Sequence, residues 1–397
     1  MSTTIEKMLQ ESALSGKQLL TPLYIVNKPI LEENIDQLYA AFRSRFDKFI
    51  FGYSYKTNPA GGVLDIVHRK GAYAEVVSPM ELRFALRNVP KSRIIYNGVI
   101  QDPYSKFALA TEGAMVNVEN MTELRDMARL ACERGVTAEV GIRVNLQLTD
   151  SSFSRFGIEV TPEAVKEIVQ LPNIKVIGIH CHITKSRGIR FWWEKAHRMS
   201  AIAKELGVRY IDFGGNMYGP MNPKLAAQFD GDIPTFQDYA DCLYDEMSHF
   251  FSQQDMPTVI VECGTPIISN AQSLLTTVVD IKTICGKTVC TLDAKKLDIT
   301  VIGDSGKQFP YHVITHGGGR VMDASMYGCT CLEFDRLVDS YTGPLSIGDQ
   351  VLFDNIGSYS NVLSPRFIQD TPQMCVYDPD SPPAVCKFQS TIYDKYL

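Results

Sequence analysis

Apolar positions along this chain follow two rhythms. From residue 49 to residue 262, short apolar runs alternate with amphipathic segments. The runs lie at 49–55, 73–77, 93–96, 115–118, 138–144, 174–180, 209–213 and 258–262. They are short and rich in β-branched and aromatic residues, the signature of buried strands. The segments between them, near 61–70, 79–88, 103–112, 121–134, 161–170, 191–206 and 236–253, carry apolar residues at helical spacing. Several open with capping residues, namely Ser78-Pro79, Asp102-Pro103, Asn120 and Thr161-Pro162. Eight strands alternating with helices predict an α/β protein built on a parallel (β/α)8 barrel of the TIM type, with an open doubly wound sheet as the competitor.

Outside this region the rhythm changes. A strand is expected over 21–27 and an amphipathic helix over 30–47. After Pro266 come short β-rich runs at Val278–Ile284, Thr288–Leu292, Ile299–Ile302, Tyr311–Thr315 and Gln350–Phe353, divided by Gly, Asp and Asn turns. These predict a mainly antiparallel β domain. The expected division is a barrel over 29–265 and a β domain formed by 1–28 with 266–397.

Composition changes this picture little. Over 397 residues, 45% hydrophobic and 21% charged content is that of an ordinary globular protein. A net charge of −6 argues against nucleic acid or an anionic membrane as partner, and no apolar run approaches the length of a membrane span. Ten cysteines without a C-x-x-C pair read as reduced core thiols of a cytoplasmic protein.

The candidate chemistry sits where apolar runs end. Lys56 closes the run 49–55, just before the turn Thr57-Asn58-Pro59. Barrels place chemistry at that end of a strand, and burial there is expected to lower the amine's pKa toward a Schiff-base nucleophile. A lone lysine in such a place more often simply reaches solvent. His180 and His182 share one face of the sixth strand and suit either a ligand stack or a metal. No acidic third ligand is apparent, so no metal site is assigned. Gly214-Gly215 after strand seven is a tight turn or an anion cradle. Glu262 ends an otherwise apolar strand and needs a partner. Cys329 and Cys331 are expected on one strand face.

In this order the features resemble the pyridoxal-phosphate (PLP) decarboxylases of the alanine-racemase-like barrel class, which include the diaminopimelate, ornithine and arginine decarboxylases. The matching stretches are Tyr53-Ser-Tyr-Lys-Thr-Asn58, Val76-Val-Ser-Pro-Met-Glu81, Asn117-Val-Glu-Asn120, Arg143-Val-Asn145, Ser154-Arg-Phe-Gly157, the His-x-His strand, Gly214-Gly215, Glu262-Cys-Gly264, Cys331 with Asp335, and Gly357-Ser-Tyr359, over residues 21 to 370. The resemblance implies that Lys56 carries PLP and that Glu262 keeps the pyridine nitrogen protonated. It implies that His182 stacks on the ring and that Gly214, Gly215 and Tyr359 hold the phosphate. Cys331 would reach the active site of a second subunit in a homodimer and help reprotonate Cα. Glu75, Glu81 and Arg143 would orient lysine and cofactor.

The sequence also departs from the family. Asn216 stands in place of a third glycine, and Cys263-Gly264-Thr265 replaces Pro-Gly-Arg, so an arginine is lost. Thr184-Lys185 replaces Gly-Ser, which leaves Thr184 or Ser186 to supply a hydroxyl. Leu332 and Glu333 follow the cysteine where the diaminopimelate type has glutamate first. The segment Lys185–Trp193 holds three cations and both tryptophans, so Arg187 and Arg190, with Glu333 and Asp335, are candidates for reading the substrate. The expectation is decarboxylation of a specialised amino-acid-derived substrate. The alternatives are a racemase or D-amino-acid enzyme of the same fold, or a non-catalytic decarboxylase-like binding protein.

Overall fold

A computed structural model describes residues 19–149, 153–184, 187–299, 306–315, 317–380 and 387–389. Eight parallel strands close into a barrel in chain order: β2 (Phe49–Ser54), β3 (Tyr73–Val76), β4 (Ile94–Tyr96), β5 (Met115–Val118), β6 (Ala138–Arg143), β7 (Ile174–His180), β8 (Tyr210–Asp212) and β9 (Thr258–Cys263). The barrel, not the open sheet, is the fold. Each strand coincides with an expected run to within two residues at either end. The caps lie as read: the side chains of Ser78, Asp102, Asn120 and Thr161 each accept a backbone N–H of the following turn, where that donor has no helical partner.

The barrel interior is filled by Ile95, Tyr210 and Ile260. Gly178 on β7 makes room for the largest of them, since a Cβ there would lie 2.0 Å from the Tyr210 ring. A side chain at 178 would therefore push the ring out of the barrel axis.

Among the described residues the second sheet has nine strands, mostly antiparallel, in the order β14-β13-β11-β10-β1-β16-β17 with β15 joining β10 to β12. β1 (Leu23–Asn27) belongs to it, as expected, running antiparallel to β10 (Gln272–Ile284) and parallel to β16 (Gln373–Tyr377). The remaining strands are β11 (Lys287–Leu292), β12 (Tyr311–Ile314), β13 (Arg320–Tyr327), β14 (Arg336–Pro344), β15 (Gln350–Phe353) and β17 (Lys387–Gln389).

Three expectations fail here. Ile299 follows a short 3-10 turn (Lys296–Asp298) and is not in a strand, while 300–302 lie outside the described residues. Gly328–Asp335 is a loop between β13 and β14, so Cys329 and Cys331 share no strand face. Asp335 fixes that loop by accepting from Lys296 N, Thr330 N and Thr330 Oγ1. Cysteine use also differs: among the described residues eight thiols are free and Cys375 is disulfide-bonded. Among the described residues no helix is long and apolar enough to cross a membrane.

Candidate active site

A cavity of about 790 Å³ opens at the C-terminal ends of the barrel strands. The barrel contributes Lys56, Glu75, Asn97, His180, His182 and Glu262 to its wall, and the β domain closes it with Lys307, Phe309, Asn355, Ser358 and Tyr359.

Lys56 stands two residues beyond β2. Its Nζ lies 3.1 Å from Glu75 Oε2, and the same oxygen accepts from Ser54 Oγ at 2.5 Å. Strand register brings them together, because Ser54 pairs with Glu75 across β2 and β3. The expected pKa depression is overturned. Burial pulls the amine downward, but Glu75, followed by Tyr359 and Glu262, outweighs it, and Lys56 is held above its ordinary value. The accessible 35% of its side chain faces the cavity.

Glu262 is the penultimate residue of β9 and is 5% exposed. His180 Nε2 lies 3.2 Å from its Oε2, and Asn97 Nδ2 donates to Oε1 at 2.5 Å. Burial pushes this carboxyl upward, yet His180, a hydrogen bond from Asp212 and the charge of Lys56 carry it well below the usual range. Asp212 moves the opposite way, raised by burial and then by Glu262. Of this pair, Glu262 keeps the charge and Asp212 the proton. The ligand atoms of His180, Asp212 and Glu262 lie within 4.8 Å of one another, so acidic neighbours that the sequence did not reveal do stand beside the histidine.

His182 is neutral, lowered well below its ordinary value by burial and then by the nearby Lys56 and Arg143 charges. Its Nδ1 accepts from Gly215 N at 3.1 Å, which leaves the ring proton on Nε2. Arg143 donates to Glu119 at 3.0 Å and to the His182 carbonyl at 3.2 Å, which fixes that backbone.

The loop after β8 lies against β9. A Cβ on Gly215 would come 2.4 Å from the Glu262 carbonyl oxygen. Asn216 adopts φ +75°, the left-handed conformation that asparagine tolerates better than most. Its Nδ2 donates to the Ile183 carbonyl at 2.7 Å, and its Oδ1 accepts from Arg187 Nε at 3.2 Å. Across the cavity, Thr265 Oγ1 and Ser358 Oγ are 2.6 Å apart, beside Tyr359 at φ +66°.

The other candidates are more scattered. Arg187, Thr184 and Gly264 line the cavity. Arg190, Cys331 and Glu333 are exposed and do not line it, and Asp335 is buried in its own loop. Trp192 is fully buried against Phe213 and Tyr239, and Trp193 is half exposed. Lys185 and Ser186 lie outside the described residues. Sequence reasoning missed Asn97, Asp212, Ser358 and Lys307 as members of this region. Asp212 carried a usable signal, since it ends an apolar strand just as Glu262 does.

A closed barrel that brings a lysine, a buried carboxylate held ionised and a glycine loop to one cavity has the layout of a barrel enzyme with its site at the C-terminal ends of the strands. The chain belongs to the pyridoxal-dependent decarboxylase family, whose pyridoxal binding domain matches residues 32–269. It is 28% identical to the diaminopimelate decarboxylase of Aquifex aeolicus over 371 residues, covering 87% of this chain and 84% of that protein. It is 27% identical to the Methanocaldococcus jannaschii enzyme over 288 residues, 66% of this chain and 64% of that protein. The fold matches diaminopimelate decarboxylase from Helicobacter pylori complexed with L-lysine, with a TM-score of 0.80, 20% identity and 97% of each chain covered. PLP is the cofactor of this family and decarboxylation of amino acids is its reaction.

The residues present fit that cofactor. Glu262 offers a charged acceptor suited to a protonated ring nitrogen. Lys56 offers an amine in the same cavity, and Thr184, Thr265, Ser358 and Tyr359 bring hydroxyls to the wall. The cavity volume lies within the ordinary range for small-molecule sites.

Proposed function

We propose that this protein removes the α-carboxylate of an L-amino acid as CO2, with a substrate other than diaminopimelate. Glu262 carries the reading: it is a carboxylate kept ionised in the cavity wall, and it would hold a proton at the cofactor's ring nitrogen. Bound here, PLP supplies the sink for the electron pair left on Cα when the carboxylate departs. Lys56 would hold the cofactor and, when released from it, keep its amine proton beside Glu75. Neutral His182, pinned by Gly215 and Arg143, would lie against the ring face. Gly215, Asn216, Gly264, Thr265, Ser358 and Tyr359 would hold the phosphate, whereas Gly214, expected there from the sequence, does not line the cavity and donates its N–H to Asp212 Oδ1 at 2.9 Å.

The family's arginine is absent at Thr265, and Arg187 supports a replacement. It lines the cavity and touches Asn216 in the glycine loop, so it brings a positive charge to that wall. Cys331 is exposed and outside its own cavity, as a residue serving a second copy in a homodimer would be. The loss of the family's arginine, with Leu332 after that cysteine, favours a specialised amino-acid substrate.

The test is CO2 release by the PLP-loaded protein across a panel of amino acids that includes diaminopimelate and acylated derivatives. A visible absorption band lost on borohydride reduction is expected, with CO2 from one substrate class. A parent that stays colourless with PLP refutes the cofactor site. A coloured parent that releases no CO2 from any of them refutes decarboxylation.

A further inference from the structure

One amide stands between two carboxylates on the cavity floor. Asn97 follows β4, and its Nδ2 donates to Glu75 Oε1 at 3.1 Å and to Glu262 Oε1 at 2.5 Å. Its Oδ1 accepts from Asn117 Nδ2 at 2.8 Å. The Oδ1 of Asn117 in turn accepts from Tyr210 Oη at 2.8 Å, and its Nδ2 also lies 3.4 Å from Asp212 Oδ2. All six side chains are buried. A side-chain amide has two hydrogens, and here each goes to a different carboxylate. Turning the amide over would set its oxygen against both carboxylates and its nitrogen against the Asn117 donor, so the network fixes a single orientation.

The two carboxylates have different tasks. Glu75 pairs with the Lys56 amine, and Glu262 is placed for the cofactor's ring nitrogen. We propose that Asn97 is a positioning residue that joins them into one unit, so that the carboxylate beside Lys56 and the carboxylate beside the ring nitrogen are held in register by a single amide. This rests on the PLP reading above and goes beyond it by assigning the link between the two ends of the cofactor. An N–H donated to a carboxylate stabilises its charged form. Protonating Glu262 would replace a charged acceptor by a neutral one and so weaken the N–H bond that Asn97 donates to it. The other titratable groups facing the pair are Lys56 and Glu81 around Glu75, and His180, His182, Asp212, Tyr210 and Lys56 around Glu262. Substituting Asn97 leaves all of them in place.

The readout is the pH midpoint of the resting enzyme's visible PLP band, without substrate, and the pH dependence of PLP capture by the cofactor-free protein. Asn97→Ala is expected to move the acid midpoint up by about 1 pH unit, the size of one hydrogen bond to a charged carboxylate. Asn97→Asp is expected to move it further, because it adds a third carboxylate. Asn117→Ala frees the amide to turn and is expected to shift the midpoint the same way by less; it also carries the test if the Asn97 variants do not fold. Unchanged midpoints in the folded variants overturn the proposal, since a merely structural asparagine would lower thermal stability without moving a titration. A parent that shows no PLP band fails the cofactor reading itself, so the two failures are distinct.

Discussion

Lys56 and Lys195 are both enclosed by this barrel, and they differ in nearly every other respect. Lys56 faces the cavity with Glu75 at 3.1 Å and is held above its ordinary pKa. Lys195, on the helix Ile189–Leu206 behind β8, donates to the Phe213 carbonyl at 2.8 Å and lies 3.4 Å from the Trp192 ring centroid. Burial lowers it to about 8, against smaller opposing pulls from Cys181 and Asp212. Lys195 thus has the depressed amine that burial was expected to give Lys56, but it is sealed from the cavity. A desolvated lysine is not by itself a working one. At Lys56 the neighbouring carboxylates hold a proton on an amine that touches the cavity, and a cofactor anchored as proposed would have to displace it.

The largest test of this contrast is to remove each amine. Lys56→Ala is expected to abolish the visible PLP band and cut turnover by roughly 10⁴-fold, since both the anchor and the proton carrier are lost. Absorbance and CO2 release measure this, and a variant that keeps the band would break the assignment.

Lys195→Met is expected to leave the band and turnover within about twofold of the parent. Its effect falls on stability. A lysine with a native pKa of about 8 and a higher unfolded value binds fewer protons when folded between the two. Its contribution therefore costs stability below pH 8 and becomes more favourable as pH rises toward 10.5, by about 3 kcal/mol across the window. The methionine variant lacks this slope. Plotting the Tm difference between parent and variant against pH from 7 to 10 should show the parent gaining ground, and a flat difference would show that Lys195 does not titrate.

The barrel was legible because parallel strands buried on both faces read as unbroken apolar runs. The β domain was less so. β13 and β14 carry charged and polar residues on their exposed faces and shift register three times along their pairing, so no clean alternation survives in the sequence. Within the site, Lys56, His182 and Glu262 were readable as polar residues ending apolar strands. The sign of the Lys56 shift was not, because Glu75 is 19 residues away and meets it only through strand register. Arg187 and Arg190 had equal claims in the sequence, three residues apart at the start of a helix. Only the path of the chain there turns the first toward the cavity and leaves the second exposed.

The smallest effect concerns the carboxylate beside the Lys56 pair. Glu81 accepts from Val77 N at 2.8 Å and is pushed up to about 7, by burial first and by the Glu75 charge second. It bears on the comparison because burial shifts it toward its neutral form, as at Lys195, and here a neighbour of the same sign adds to that shift, whereas at Lys56 neighbours of opposite sign outweigh burial. Its folded pKa exceeds its unfolded value, so the native state binds the extra proton between them, and stability from this group is lost as pH rises from about 4.5 to about 7. Glu81→Gln keeps an acceptor for Val77 and removes the titration, and its stability advantage over the parent is expected to be larger by about 2 kcal/mol at pH 7.5 than at pH 5. Thermal unfolding at the two values checks this. An equal difference at both would mean that Glu81 stays ionised throughout, and that the charge cluster around Lys56 is better compensated than burial and Glu75 imply.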